Sequence, residues 1–201
     1  MPQIVLPLAV SALIGYLLGC SNMALYISKL KGIDLRQTGS KNLGASNTFL
    51  TFGPLWAVLV FFHDAGKAAL AVYLSQRLFP ALPAGGYMAG AAAVMGHMFP
   101  FYLRFRGGKG FAAYLGTILI LNWRFGLMIL LIVAGITLIT NYIVIGTVTT
   151  VTAYPVYTAI MTRSLVAVGI LSLVSLVILW KHRENYVRIV NGSEPGLFKK
   201  T

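Results

Sequence analysis

Long apolar runs alternate with short polar segments along most of the chain. The apolar runs cover residues 4–28, 54–78, 83–103, 111–123, 125–162 and 164–180. Most of them reach the roughly 20 residues that one helix needs to cross the hydrocarbon core of a bilayer. Because the runs do not show the period-two alternation of transmembrane strands, the pattern predicts an all-α integral membrane protein.

The number of spans depends on the stretch between residues 111 and 162, in which Arg124 is the only charged residue. Arg124 divides this stretch into a short run, 111–123, and a run long enough for two helices. Asn141 or the region of Gly146 is the expected break, because Asn and Gly interrupt helices. The chain has seven spans if the short run crosses the membrane and six if it is re-entrant.

The basic residues favour seven spans with the N-terminus outside and the C-terminus in the cytoplasm. In that arrangement Arg77, Arg124 and Arg163 lie outside and Lys67 lies within a span. The other Lys and Arg residues fall on the cytoplasmic side, as the positive-inside rule requires. These are Lys29, Lys31, Arg36, Lys41, Arg104, Arg106, Lys109, Lys181, Arg183, Arg188, Lys199 and Lys200.

The composition excludes an ordinary soluble domain. Only 10% of the 201 residues are charged and 58% are hydrophobic, whereas soluble domains are about 25% charged. The net charge of +12 points to anionic lipids or substrates, and the long apolar runs argue against nucleic acid as a partner. We expect one domain over residues 1–201, whose uncharged first run is a retained helix and not a cleaved signal peptide.

Three polar segments between the runs are chemically richer than connecting loops need to be. The first, second and third polar segments are residues 32–47, 96–110 and 181–194. Glycine-rich loops expose backbone N–H groups that cradle phosphate oxygens, so the segments are candidate anion sites. The alternatives are a solvated loop with helix caps for the first segment and positive-inside charge beside a span for the other two.

Several side chains in these segments are suited to binding an anion. The GGKG sequence around Lys109 is not a Walker loop, which has Ser or Thr after the Lys, so we interpret it as a glycine-rich cradle with one lysine charge. His182 and Asn185 are three residues apart and share one helical face. The first segment adds hydrogen-bonding side chains at Ser40, Asn42, Ser46 and Asn47.

The apolar run 54–78 contains two ions, Asp64 and Lys67, three residues apart. Charged groups within a membrane are costly and usually paired, so we expect these two either to form an internal pair or to bond to one of the glycine-rich polar segments. A metal site is not expected, because the three His and four acidic residues are scattered and Cys20 is the only cysteine.

In order along the chain, the sequences GSKNLGASN, GHMFPFYLRFRGGKG and HRENYVRIVNGSE lie in the three polar segments. Together they resemble the three motifs of the PlsY family of membrane glycerol-3-phosphate acyltransferases. The resemblance implies a seven-helix enzyme of the bacterial inner membrane, with its active site at the cytoplasmic face. It implies transfer of a fatty acyl group from acyl phosphate to the 1-hydroxyl of glycerol 3-phosphate, giving lysophosphatidic acid and phosphate. This reaction, the first acylation of phospholipid synthesis, needs no cofactor or metal.

The resemblance also implies roles for individual residues. Ser40, Lys109, His182 and Asn185 are interpreted as catalytic. Substrate and phosphate binding is assigned to Asn42, Gly44, Ser46, Asn47, Arg106, Gly107, Gly108, Gly110, Glu184 and Arg188. Supporting roles are assigned to Asp64, Lys67, His97 and Glu194.

The sequence departs from the family pattern at a few positions. Leu50 stands where an arginine is common, which removes one phosphate contact, and Lys41, in place of a glycine, is a candidate substitute. The hydroxyl proton has two candidate acceptors, His182 and the departing phosphate.

Two other functions stay open at this point. One is a transferase of the same fold acting on another polar acceptor, and the other is a small anion transporter. Membrane lipid is an expected partner. The sequence does not set the oligomeric state, for which a monomer is one expectation.

Overall fold

The computed structural model describes residues 2–198, and all the regular elements among them are helices. Lys199 and Lys200, two of the residues assigned to the cytoplasmic side, lie outside the described residues. The elements are α1 (Pro2–Cys20), α2 (Met23–Lys31), α3 (Ala45–Phe52), α4 (Pro54–Leu78), α5 (Pro83–Met98), a 3-10 helix (Phe101–Leu103), α6 (Phe111–Leu121), α7 (Trp123–Thr140), α8 (Ile143–Thr162), α9 (Leu165–Lys181) and α10 (Arg183–Val190). The all-helical prediction is confirmed for this part of the chain.

Three boundaries differ from the apolar pattern or refine it. The first run is broken after Cys20, because Asn22 caps α2 by accepting a hydrogen bond from the Leu25 amide at 2.8 Å. The run 83–103 ends as an α-helix at Met98, just before Pro100, whose missing N–H and ring disfavour continuation of the helix. Of the two breaks expected in the long run, Asn141 is the one observed, with a left-handed φ of 63°.

Four segments within residues 2–198 are long and apolar enough to cross a membrane: Ile4–Lys31, which joins α1 and α2, and the helices α4, α7 and α8. The pair α9 and α10, bent by 46°, makes a fifth candidate. Helix α6 has 11 residues, about 16 Å at 1.5 Å per residue, which is shorter than a hydrocarbon core of about 30 Å. The count of seven spans therefore stays a prediction.

Small residues bring α1 and α5 into close contact. A Cβ atom placed on Gly15 would lie 2.1 Å from the carbonyl oxygen of Ala89, and one on Gly19 would lie 2.1 Å from that of Ala93. Gly116 of α6 meets Ala65 of α4 in the same way. Such close approach of helix backbones is typical of helix packing in membranes, and here it packs α1 against α5 and α4 against α6.

Large apolar side chains cover the outside of the bundle. Leu131 and Leu138 of α7 and Leu165 of α9 are 75%, 70% and 87% exposed. Inside, Tyr114 and Tyr154 are fully buried and pack edge to face. An apolar exterior around a packed interior suits a lipid environment and not water.

Candidate active site

A cavity of about 440 Å³ lies where the three polar segments meet. The first segment contributes Ser40, Asn42, Gly44 and Ser46, the second His97, Lys109 and Gly110, and the third His182, Asn185 and Glu194. Asp64 of α4 also lines the cavity. The remaining wall is mostly apolar and includes Phe61, Phe111, Leu115, Leu130, Val133, Leu138 and Val144. The cavity thus joins a polar end to an apolar chamber.

Asn47 shapes the first polar segment from within. It is fully buried, and its Oδ1 accepts a hydrogen bond from the Ser40 amide at 2.7 Å. Its Nδ2 donates to the carbonyl oxygens of Leu35 at 2.7 Å and Asn42 at 3.0 Å. Asn47, which was predicted to bind phosphate, therefore uses its side-chain amide to bond the backbone of its own loop. These bonds place Ser40 and Asn42 at the cavity.

The first turn of α3 also faces the cavity. Gly44 caps this helix without a side-chain hydrogen bond, and Gly44, Ala45 and Ser46 line the wall. The unpaired N–H groups and positive dipole end of a helix favour an anion. Ser46 adds a hydroxyl at the same place.

Gly107 and Gly108 let the second polar segment lie directly against the end of α5. Their amides donate to the carbonyl oxygens of Met98 and His97, both at 3.1 Å. A Cβ on Gly107 would lie 2.1 Å from the His97 carbonyl oxygen, and one on Gly108 would lie 2.1 Å from His97 Nε2. This contact leaves space only for glycine and directs the neighbouring Lys109 into the cavity.

Lys109 joins the second polar segment to the third. Its Nζ donates a short hydrogen bond to Asn185 Oδ1. Burial, with the nearby positive charge of Arg188, lowers the pKa of Lys109 to about 8. The lysine is therefore a partly desolvated cation. Its hydrogen-bond partner Asn185 is neutral, so its charge is available to an anion.

In the third polar segment, His182 and Asn185 are held in defined orientations. His182 Nδ1 lies 2.8 Å from the carbonyl oxygen of Ile178, which can only accept, so Nδ1 carries the proton. In the neutral ring Nε2 is then a hydrogen-bond acceptor. The Nδ2 of Asn185 donates to Glu194 Oε1 at 2.5 Å, and Arg188 Nε donates to Glu194 Oε2 at 2.6 Å.

A buried ionic cluster supports the cavity from the α4 side. The predicted pair is present, with Lys67 Nζ 2.8 Å from Asp64 Oδ1. Lys67 also donates to the Ser21 carbonyl oxygen at 2.6 Å and lies 2.9 Å from His97 Nδ1. Ser21 Oγ lies 3.0 Å from Nε2 of His63, whose Nδ1 is 3.4 Å from Asp64. The cluster ties the α1–α2 break to α4 and α5.

Residues 194–198 form a C-terminal strap over the cavity, which the sequence did not indicate. Phe198 N donates to Asn141 Oδ1 at 2.7 Å, and Asn141 Nδ2 donates back to the Phe198 carbonyl oxygen at 3.0 Å. Leu197 N donates to the Asn141 carbonyl oxygen at 3.1 Å. The Pro195–Gly196 dipeptide signals a turn, but the sequence does not show that this turn packs against the α7–α8 junction.

Six of the residues predicted to bind substrate do not line this cavity: Asn47, Arg106, Gly107, Gly108, Glu184 and Arg188. Glu184 is exposed and lies 3.9 Å from Arg188, and Gly108 is packed against His97. Arg106 and Gly107 line a second cavity of about 660 Å³. Lys41 also lines the second cavity, whereas Leu50 lines the first. Lys41 therefore does not occupy the place that an arginine at position 50 would fill.

The first cavity is suited to substrates that carry both an anion and an apolar chain. Ser40, Lys109 and the α3 N-terminus offer donors to an anion, and the apolar chamber offers room for a chain. Within residues 2–198, the structure contains no group of three or more His, Cys, Asp or Glu side chains that could hold a metal ion. Fold and cavity together define a helical membrane protein whose internal cavity has both polar and apolar walls.

The chain belongs to the glycerol-3-phosphate acyltransferase family, whose model matches residues 9–192. A glycerol-3-phosphate acyltransferase of Dinoroseobacter shibae is 38% identical over all of this chain and 99% of that protein. One of Legionella pneumophila (strain Corby) is 33% identical over 92% of this chain and 67% of that protein. The resemblance to the PlsY family is therefore confirmed.

Solved structures agree with this assignment. The crystal structure of PlsY (YgiH), an integral membrane glycerol 3-phosphate acyltransferase, in its glycerol 3-phosphate form, matches with a TM-score of 0.88 and 30% identity over 96% of both chains. Its lysophosphatidic acid form matches with a TM-score of 0.84 and 29% identity over 94% of both. The chain is thus a membrane acyltransferase of phospholipid biosynthesis.

Proposed function

We propose that this chain transfers a fatty acyl group from acyl phosphate to the 1-hydroxyl of glycerol 3-phosphate. The products are lysophosphatidic acid and inorganic phosphate. The observation that carries the proposal is the first cavity, which has cationic and hydroxyl groups at one end and an apolar chamber at the other. Acyl phosphate has the same division, with a phosphate head on an apolar chain.

The polar end of the cavity would hold the two phosphate groups. Lys109, the first-turn amides of α3 and the hydroxyls of Ser40 and Ser46 offer donors and positive charge to them. Arg188 does not line the cavity itself but is bonded to Glu194, which does; its buried Nη2 has no hydrogen-bond partner among residues 2–198 and is free to bond a further acceptor oxygen. Charge neutralisation and positioning are the main requirements, because acyl phosphate is a mixed anhydride with a good leaving group.

In the reaction step, the 1-hydroxyl oxygen of glycerol 3-phosphate attacks the acyl carbonyl carbon. A carbon–oxygen ester bond forms, and the bond from that carbon to the phosphate oxygen breaks. His182 Nε2 is one candidate acceptor of the hydroxyl proton, because its Nδ1 is already engaged with the Ile178 carbonyl oxygen. Burial lowers the pKa of His182 to about 4, which makes it a weak base. The departing phosphate dianion is the alternative acceptor, and it needs no protein base.

We propose further that the chain has seven spans and an extracytoplasmic N-terminus, with its active site at the cytoplasmic face of the bacterial inner membrane. The support is the one-sided distribution of Lys and Arg between the apolar runs. A reporter fused to the C-terminus should give a cytoplasmic signal. A periplasmic signal would contradict this orientation.

A transferase of the same fold with another polar acceptor is the second candidate. Leu50, 39% exposed, lines the first cavity, and Lys41 faces elsewhere, so the arginine missing at position 50 is not replaced in this wall by Lys41. A cavity with one cation fewer would bind a dianionic acceptor less tightly.

The deciding experiment gives purified protein acyl phosphate and glycerol 3-phosphate and measures both phosphate release and the acylated product. We expect stoichiometric phosphate and lysophosphatidic acid, and neither product from the Lys109→Ala variant. Turnover with other polyols and none with glycerol 3-phosphate would support the second candidate. Phosphate movement across sealed vesicles without acyl transfer would support a transporter.

A further inference from the structure

The second cavity lies beside the first and shares no residue with it. The first polar segment lines it with Asp34, Arg36 and Lys41, the second with Arg106, and the start of the third with Lys181 and Arg183. Neighbouring residues divide between the two cavities: Ser40 and Asn42 face the first, and Lys41 and Leu43 face the second. The same three polar segments therefore form walls of both cavities.

The second cavity has a large excess of positive charge. Five basic side chains line it, and Asp34 is the one carboxylate among its lining residues. Asp34 already pairs with Arg36, with Oδ2 2.9 Å from Nη2 and Oδ1 2.9 Å from Nε. Among residues 2–198, the structure places no carboxylate within 4.0 Å of the charged atoms of the remaining four, which are Lys41, Arg106, Lys181 and Arg183.

Two of these lining residues are held in an uncommon backbone conformation. Lys41 has φ of 55° and Phe105 has φ of 60°, in the left-handed region that side chains other than those of Gly and Asn rarely adopt. Orientation of the protein in a membrane requires basic residues but no such geometry. Lys181 lies over the Phe99 ring and Arg183 over the Trp180 ring, contacts that leave both charges without a carboxylate. The concentration in one cavity of cations that have no carboxylate partner among the described residues therefore points to a bound anion.

The aromatic lining and the neighbouring helix surface indicate that this anion is attached to a lipid. Trp180 lies in the last turn of α9 at the edge of the cavity and is 53% exposed. Leu176 and Leu173, one and two turns earlier on the same face, are 62% and 68% exposed. This apolar stripe leads along the outside of α9 to the cations, as acyl chains and a head group would require.

We propose that the second cavity binds the phosphate head group of an anionic phospholipid, whose chains lie along the outer face of α9. Lys41, Arg106, Lys181 and Arg183 surround the phosphate, and Trp180 covers the glycerol region. This lipid is neither substrate nor product at the first cavity. Its contacts hold the same three polar segments that form the active site.

Native mass spectrometry of the full chain tests the proposal. Delipidated protein is offered equal amounts of phosphatidylglycerol and phosphatidylcholine with identical acyl chains. We expect wild-type protein to retain the anionic lipid about tenfold in preference to the zwitterionic one. The double substitution Lys41→Gln with Lys181→Gln should remove most of this preference.

The matched control is Lys29→Gln with Lys31→Gln, which removes the same charge from the predicted cytoplasmic side but outside the cavity. It should keep the wild-type preference. A second test variant, Arg183→Gln, lies outside the apolar helices and decides the question if the double variant does not fold. If control and test variants lose the preference for the anionic lipid equally, that preference comes from diffuse surface charge. This result would overturn the proposal.

A calorimetric titration with inorganic phosphate, in micelles of a zwitterionic detergent, distinguishes a lipid from a free ion. We expect no saturable binding at the second cavity, so the heats of wild type and of the Lys41→Gln, Lys181→Gln variant should agree. If wild type instead binds inorganic phosphate, loses that binding in the variant and shows no lipid preference, the ligand is a free phosphate and the lipid assignment is wrong.

Discussion

The side-chain amide of Asn185 lies between a carboxylate and an ammonium group: its Nδ2 is 2.5 Å from Glu194 Oε1, and its Oδ1 accepts from Lys109 Nζ. Because the carboxylate can only accept, it determines which end of the Asn185 amide faces Lys109. The same carboxylate accepts from Arg188 at 2.6 Å. Glu194 therefore orients Asn185 at the polar end of the first cavity and holds Arg188 beside it, in keeping with the supporting role predicted for it.

Replacing Glu194 by Gln should lower kcat/KM for acyl transfer about tenfold, equivalent to ~1.4 kcal/mol of transition-state stabilisation. One oxygen of the carboxylate becomes an NH₂ group, which then faces the donor of Asn185 or of Arg188. Glu184→Gln is the matched control, because that carboxylate is exposed and 3.9 Å from Arg188. Steady-state kinetics should show less than about a twofold change for the control. Equal effects of the two substitutions would contradict the positioning role.

The lowered pKa of Lys109 predicts a decline in activity on the alkaline side. With a pKa of about 8, the ammonium loses its proton as the pH rises through that value, and its attraction for phosphate is lost with it. The profile of kcat/KM against pH for free enzyme should therefore fall above pH 8. Lys109→Arg keeps its charge at these pH values, so its residual activity should lack the alkaline decline. A decline of the same shape in this variant would assign the titration to another group.

The close contact at Gly108 predicts a strong effect of one added methyl group. In Gly108→Ala the new Cβ would lie 2.1 Å from His97 Nε2 and 2.7 Å from the Leu43 carbonyl oxygen, so the loop carrying Lys109 must shift. A displacement of about 1 Å costs about a hundredfold in rate. Gly135→Ala is the control, because nothing lies within 4 Å of its added Cβ. Normal turnover by purified Gly108→Ala protein would show that the loop position is not critical.

How far the sequence determines this molecule varies with the scale of the feature. Hydropathy locates most of the helices, since a helix that crosses a bilayer must be apolar over its length. It misses the break at Ser21 and Asn22, because two small polar residues hardly change the mean hydropathy of a long run. The break is made by a local cap at Asn22 and by the bond between Lys67 and the Ser21 carbonyl oxygen. Only the second is a tertiary contact, because its partners are 46 residues apart.

For the candidate site, the sequence identifies the segments better than the direction of each side chain. Ser40 and Lys41 are neighbours but face different cavities, because Lys41 has a left-handed backbone. Asn47 has the chemistry of a phosphate ligand but is turned inward onto its own loop. Pattern and composition do not encode these orientations. The C-terminal strap depends on a contact between Phe198 and Asn141, which are more than fifty residues apart in the sequence.

The strap over the cavity predicts a role for the Asn141 side chain. Asn141→Gly keeps the left-handed backbone but removes both side-chain hydrogen bonds to Phe198. The strap should loosen, because, of the described bonds between the strap and residue 141, only the backbone bond from Leu197 N to the carbonyl oxygen remains. KM for the polar substrate should therefore rise about tenfold, with faster cleavage of the C-terminus in limited proteolysis. Arg163→Gly is the matched control, because it changes a left-handed cap at the end of α8, away from the strap. It should leave both KM and the rate of C-terminal cleavage unchanged. Unchanged proteolysis of Asn141→Gly would contradict a strap held by this residue.

The buried ionic cluster predicts a large loss of stability from one small substitution. Asp64→Asn removes the charge that compensates Lys67, and both side chains are about 95% buried or more. Leaving one partner of a buried pair uncompensated costs about 3–5 kcal/mol, which should appear as a marked fall in the unfolding temperature of the detergent-solubilised protein. Asp34→Asn is the control, because its pair with Arg36 is solvent-exposed and worth less than about 1 kcal/mol. Similar losses in the two variants would mean that Lys67 finds compensation from Ser21 and His97 alone.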